Sequence, residues 1–199
     1  MKEKFHTSNY RICIAIFLCI SVVLILLHVG GGFYSDSSWF FSKNRGKSDI
    51  THAIFTQFLH GDFFHLLFNI VALIFFVYRI CEHVRWNHIV LVYAISLIVT
   101  GVMLILFAKD NKGYLGNSGA VFAIFGFWLT IPNGKIDEKN EKFSEFIAMI
   151  GSTIFFVNIS WIMHISGLLV GIIYGVLMGK LKYRYSFKEG EEFGENKNC

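Results

Sequence analysis

Ser118 stands in Gly116-Asn117-Ser118-Gly119-Ala120, a hydroxyl between glycines at the head of a short apolar run. Such a hydroxyl is a weak nucleophile until a neighbouring base takes its proton. At a helix N-terminus it would have free N–H groups and the positive end of the helix dipole beside it, both favourable to a developing oxyanion. Gly119 lets a substrate backbone approach with no Cβ in the way. The pattern is not the G-x-S-x-G elbow of soluble hydrolases, since position 120 is Ala and no strand precedes it. The plain alternative is an N-cap serine that merely starts a helix.

A base is offered by His164. Behind it come Gly167, Gly171, Gly175 and Gly179, and His164, Gly167 and Gly171 share one helix face at i, i+3 and i+7. Small residues at every fourth position let membrane helices pack backbone to backbone. The face carrying the imidazole is therefore expected to touch another helix, the one headed by Ser118. The alternative is a packing ladder with an incidental histidine. His65 and Asn69, at i and i+4 in Phe64-His-Leu-Leu-Phe-Asn69, share a second face. Both can donate hydrogen bonds, as an oxyanion site requires; their alternative is a buried pair that stabilises a loop. His60, just upstream, reads as a loop-ordering residue. No carboxylate falls in the middle of an apolar run, and Asp36, Asp49, Asp62 and Asp110 belong to loops, which leaves a two-residue Ser118/His164 dyad.

The elements that must hold these groups are membrane helices. The 199 residues are 54% hydrophobic, 17% aromatic and 16% charged, with mean hydropathy +0.54, against about 25% charged in a soluble domain. A spanning helix needs about 20 mostly apolar residues. Candidate spans are Ile12–Val29, Phe63–Val77, Ile89–Ala108, Ala120–Ile131, Phe146–Val157 and Ile162–Gly179. The fold class is thus all-α, a polytopic bundle of six transmembrane helices. Residues 1–11 form a cytoplasmic segment, 12–182 one membrane domain and 183–199 an unstructured polar tail. The first run is too long for a typical signal-peptide core and reads as a retained anchor. Cys13, Cys19, Cys81 and Cys199 have no metal-ligand spacing and read as free thiols.

With the N-terminus inside, thirteen of the 18 Lys and Arg fall on inner segments, leaving Lys43, Arg45, Lys47, Lys109 and Lys112 outside. The positive-inside rule puts both termini in the cytoplasm of a cell-membrane protein. Spans two, four and six then run inward, so His65, Ser118 and His164 gather near the outer surface, a convergence that charge alone dictates. The fourth span, about 18 Å long at 1.5 Å per residue, starts roughly 10 Å below the edge of a ~30 Å hydrocarbon core. The same arithmetic puts His65 roughly 8 Å down, in a recessed cavity that water can reach.

Three stretches, Phe58-Leu-His60-Gly-Asp-Phe-Phe-His65-Leu-Leu-Phe-Asn69, Gly116-Asn-Ser118-Gly-Ala-Val-Phe-Ala-Ile-Phe-Gly126 and His164-Ile-Ser-Gly167-Leu-Leu-Val-Gly171, lie in order on the second, fourth and sixth spans. Together they resemble the rhomboid family of intramembrane serine proteases, over roughly residues 10–182. The resemblance implies Ser118 as nucleophile and His164 as general base. It implies His65, Asn69 and the Ser118 backbone N–H as the oxyanion site, with Phe122 packed on the imidazole and segment 5 with loop 158–161 gating entry. Gly116, Gly119, His60, Gly167 and Gly171 would support the site, and Glu82 has a family counterpart. Transmembrane proteins would be the substrates and the bilayer the surroundings, with no cofactor, metal or nucleic acid. Thr51 and His52 stand where the family often has a Trp-Arg pair, and Asn117 and Ser166 replace residues commonly Ala and Gly. The hydrophobic Trp39, Phe40 and Phe41 of the first outer loop are expected in the membrane interface. Two rivals remain: a rhomboid-like pseudoenzyme that binds transmembrane clients, and a metalloenzyme ligated by His60, His65 and His164, with His52 as a fourth ligand. The first usually lacks the serine or histidine; the second needs further histidine boxes or carboxylates and leaves the Gly-Asn-Ser-Gly-Ala stretch unexplained.

Overall fold

The computed structural model of the chain describes residues 2–30, 41–42, 49–81, 83–109, 112–131, 141–145, 147–149, 151 and 160–195. In chain order these form α1 (Lys2–Gly30), α2 (Ile50–Phe55) with a 3₁₀ turn at Thr56–Phe58, α3 (Phe63–Cys81), α4 (Trp86–Phe107), α5 (Ser118–Thr130) and α6 (Trp161–Glu195). Among the described residues the β pairing is one isolated bridge, Phe41 with Tyr114. Three helical stretches there are long and apolar enough to cross a membrane: Phe63–Cys81, Trp86–Phe107 and Trp161–Gly179. Arg11–Leu27 and Ser118–Thr130 are shorter apolar stretches. The expected span Phe146–Val157, loop 158–161 apart from its last two residues, and Glu82 lie largely or wholly outside the described residues.

Three sequence expectations are corrected. α5 begins at Ser118 rather than Ala120, so Asn117 takes the N-cap position and Ser118 is the first helical residue. α6 continues to Glu195, through residues assigned to an unstructured tail; no proline stands there to interrupt the backbone ladder. Phe41 is buried rather than interfacial. Its backbone exchanges two hydrogen bonds with Tyr114, 3.2 and 3.1 Å, and its ring packs with Leu104, Ala108 and Met163. Trp39 and Phe40 are outside the described residues.

α5 is the centre of the bundle. Every residue from Ser118 to Trp128 is buried, the mark of a helix enclosed on all sides, which is why 13 residues suffice. Its closest partner is α6. A Cβ added at Gly167 would run into the backbone of Gly119, one at Gly171 into Ala123 and Phe127, and one at Gly175 into Thr130. Both sets of numbers rise together, so the helices are parallel. Gly126 opens the reverse contact, facing the backbone of Leu168 and Ile172. Gly179 faces open space and is no rung of the ladder. The opposite side of α6 exposes Trp161, Ile165, Leu169, Ile173 and Leu177 at four-residue spacing, an apolar stripe suited to lipid.

α3 and α4 close the other sides. Phe76 meets Phe125 at 4.9 Å between centroids, and Thr100 touches Gly119. His88, in the first turn of α4, lies 2.7 Å from the Tyr174 hydroxyl, and Leu104, near the end of α4, packs in one cluster with Met163 at the start of α6, so α4 runs antiparallel to α6. At the C-terminal end of α5, Trp128 lies between Arg79 and Lys142, 4.9 and 4.2 Å from its ring, and donates Nε1–H to Glu145 at 2.6 Å. Arg79 pairs with Glu141 and Glu145. Lys142 donates to the Ile131 carbonyl at 2.7 Å. Helical residues 141–145 are thereby tied to the ends of α3 and α5.

Backbone atoms face Gly171 and cannot swing aside, so overpacking there must separate the helices. Gly171→Leu should lower the detergent melting temperature by several degrees, corresponding to at least about 1–3 kcal/mol, whereas Gly179→Leu should leave it within about 0.5 kcal/mol of the parent. Equal melting temperatures for the two variants would show that the glycine contacts do not hold α6 in place.

Candidate active site

The first turn of α5 and the first turn of α6 lie side by side, and their polar groups meet. Nε2 of His164 is 2.8 Å from Oγ of Ser118. With Nε2 as the acceptor, the Ser118 hydroxyl donates and the imidazole proton stands on Nδ1. Both side chains are buried, 9% and 7% exposed. Among the described residues Nδ1 has no hydrogen-bond partner. Aromatic packing orients the ring instead. Phe122, one turn after Ser118, stacks on it at 4.3 Å with 13° between planes, and Trp161 approaches edge-on at 6.5 Å.

α3 supplies the facing wall. The Asp62 carboxylate accepts the backbone N–H of His65 at 2.9 Å, an N-terminal capping bond that starts the helix there. His65 is half-buried and lies against Gly116. Gly116 has φ +101°, a left-handed conformation that glycine alone adopts freely. A Cβ there would also stand 2.7 Å from Cε1 of His65. Asn69 is buried one turn further along α3, and its Nδ2 donates to the His65 carbonyl at 2.8 Å. One N–H of that amide remains for another acceptor.

His60 stands apart from the Ser118–His164 contact. It is 1% exposed, and its Nε2 lies 3.1 Å from Oδ1 of Asn117. Its ring meets His65 edge-on at 5.1 Å. Asn117 in turn reaches the hydroxyl of Tyr93 on α4 at 3.5 Å. Thr51 and His52 lie on α2, where Asp49 accepts from the Thr51 hydroxyl at 2.5 Å and from the His52 N–H at 2.8 Å. Those two bonds hold the Asp49 carboxyl below the usual range. Tyr93 was not singled out in the sequence, and the contacts of Asn117 with His60 and of Trp161 with His164 were not foreseen there. Nothing local marks which distant groups an Asn at a helix start, a mid-helix Tyr or a loop-end Trp will meet.

The Rhomboid domain family model matches residues 47–181, which contain every group just described. The chain is also 24% identical over 194 residues to the Bacillus subtilis (strain 168) protein named "Putative rhomboid protease YdcA", covering 90% of this chain and 98% of that one. With well over half of its length matched, and with Ser118, His65, Asn69 and His164 inside the match, the chain belongs to the rhomboid family.

Proposed function

We propose that the protein is an intramembrane serine endopeptidase that cuts transmembrane helices of other membrane proteins by a Ser118/His164 dyad. The 2.8 Å contact between Ser118 Oγ and His164 Nε2 carries this assignment, because a serine hydroxyl needs a base within hydrogen-bond reach to attack an amide. Nε2 takes the Oγ proton as Oγ adds to the scissile carbonyl carbon. The resulting oxyanion is met by the Ser118 N–H at the α5 terminus, by His65 and by the remaining amide proton of Asn69. The imidazolium then protonates the leaving amine, and an acyl-enzyme remains. A water attacks that ester while His164 again takes and returns the proton, freeing Ser118.

With both termini cytoplasmic, as the Lys and Arg distribution suggests, the dyad opens toward the outer face. The scissile bond must unwind to enter a site roughly 10 Å below the surface, so preferred substrates carry small or helix-weakening residues near their outer end. Client binding without cleavage is the second reading. It is favoured by no contact at the site, since both members of the dyad are present and bonded.

Ser118→Ala should abolish cleavage of a reporter transmembrane substrate, and a chelator should leave the wild-type rate unchanged; loss of activity on chelation would favour the metalloenzyme. A fluorophosphonate should label Ser118, and His164→Ala should prevent that labelling, because the reagent needs the base as well as the nucleophile. Labelling that survives His164→Ala would argue against the dyad. Gly116→Ala should lower kcat by about 10²-fold or more by displacing His65, comparable to loss of one oxyanion donor. An unchanged kcat in that variant would remove His65 from the oxyanion site.

A further inference from the structure

Asn117 occupies the N-cap of α5, yet its side chain makes no cap hydrogen bond. An N-cap Asn ordinarily turns its carboxamide back onto the N–H of the second or third helical residue, here Gly119 or Ala120. Ala120 N–H instead bonds the backbone carbonyl of Asn117 at 2.9 Å. The carboxamide points away from the helix: Oδ1 accepts from Nε2–H of His60 at 3.1 Å, and Nδ2 reaches Tyr93 Oη at 3.5 Å. Asn117 is 0% exposed, His60 1% and Tyr93 5%, so water offers no competing partner to any of the three.

Two results follow from one bond. The amide oxygen that would otherwise cover the N-terminal N–H groups of α5 is kept off them, beside Ser118. His60 is fixed from behind, and its ring rests edge-on against His65 at 5.1 Å, the same ring that fills the space over Gly116. We infer that Asn117 is a positioning residue that keeps the α5 N-terminus open and, through His60, holds His65 in place for the oxyanion. This rests on the protease function proposed above. Asn117 touches neither substrate nor the reacting atoms; it acts through its neighbours.

Asn117→Ala and Asn117→Ser separate positioning from packing. Serine is a good N-cap but too short to reach His60. Both variants should lower kcat on a reporter transmembrane substrate by about 10-fold, with KM within about twofold, as expected when reacting groups are displaced by a fraction of an ångström. Asn117→Ser should melt no lower than Asn117→Ala in detergent, because it caps the helix, yet be no faster. Tyr93→Phe, which removes the longer contact, should fall between these and the parent. Wild-type kcat in both Asn117 variants would overturn the proposal, as would a loss of kcat matched by an equal fall in melting temperature that serine capping reverses. Wild type and Ser118→Ala run in the same assay distinguish the two levels. If the wild type fails to cut or Ser118→Ala cuts, the protease function fails and this proposal with it. If they behave as expected and the Asn117 variants match the parent, the positioning role alone is wrong.

Discussion

Two apolar helices in lipid gain little by leaving hydrocarbon for each other, so what joins them must be close packing and hydrogen bonding. α5 and α6 meet where Gly167 and Gly171 rest on the backbone of Gly119, Ala123 and Phe127 and Gly175 on the Thr130 side chain, with Gly126 completing the fit from the facing side. Everything at the site depends on that distance. His164 stands three residues before the first rung and Ser118 one residue before Gly119, the group that Gly167 touches. A side chain at Gly167 or Gly171 would meet backbone and lift the base from the hydroxyl. The hydrogen bond between them is a consequence of the helix contact and too weak by itself, at about 1 kcal/mol, to impose it.

A second frame fixes the start of α5. Gln57, fully buried, donates to the carbonyls of Ala53 and Leu97 at 3.0 and 2.8 Å. Its Oε1 lies 2.7 Å from the Thr100 hydroxyl, which also lies 2.6 Å from the Ser96 carbonyl. The 3₁₀ turn is thereby attached to α4. The carbonyl of Thr56, next in the turn, accepts the Gly116 N–H at 3.1 Å, and the Thr100 methyl abuts Gly119. A buried amide without partners would be costly in this setting. With its partners, it ties the loop carrying Gly116 and the loop carrying His60 to a single helix.

Much of this was legible in the sequence because it depends on period and chemistry. The glycine spacing identified the contact face of α6, and the apolar runs located the helices. Ser118 was expected at the head of this helix, but the apolar run alone placed its start at Ala120, because hydrophobicity does not register the first polar turn. Gly179 kept the ladder's period but has no neighbour opposite, and the number of rungs depends on the partner's length, which the α6 sequence does not encode. Phe41 was assigned to the interface because its loop is aromatic. Its burial comes from pairing with Tyr114, more than seventy residues away in sequence, for which no local pattern exists. The contacts of Asn117 were illegible for the same reason: its partners, His60 and Tyr93, come from two other elements.

A hydrolytic serine commonly has its base oriented by a carboxylate. A charged third member within the bilayer would have to be desolvated, at a cost of several kcal/mol. In the proposed mechanism the Phe122 ring sets the imidazole plane at no such cost, and the Ser118 hydroxyl sets its rotation within that plane. Phe122 follows Ser118 by four residues, so the nucleophile and the surface that orients the base lie on one face of one helix. Sliding α6 along α5 would then spoil stacking and hydrogen bond together. The base is kept in register by the glycines beneath it, and the task a carboxylate performs in water falls here to the helix interface itself.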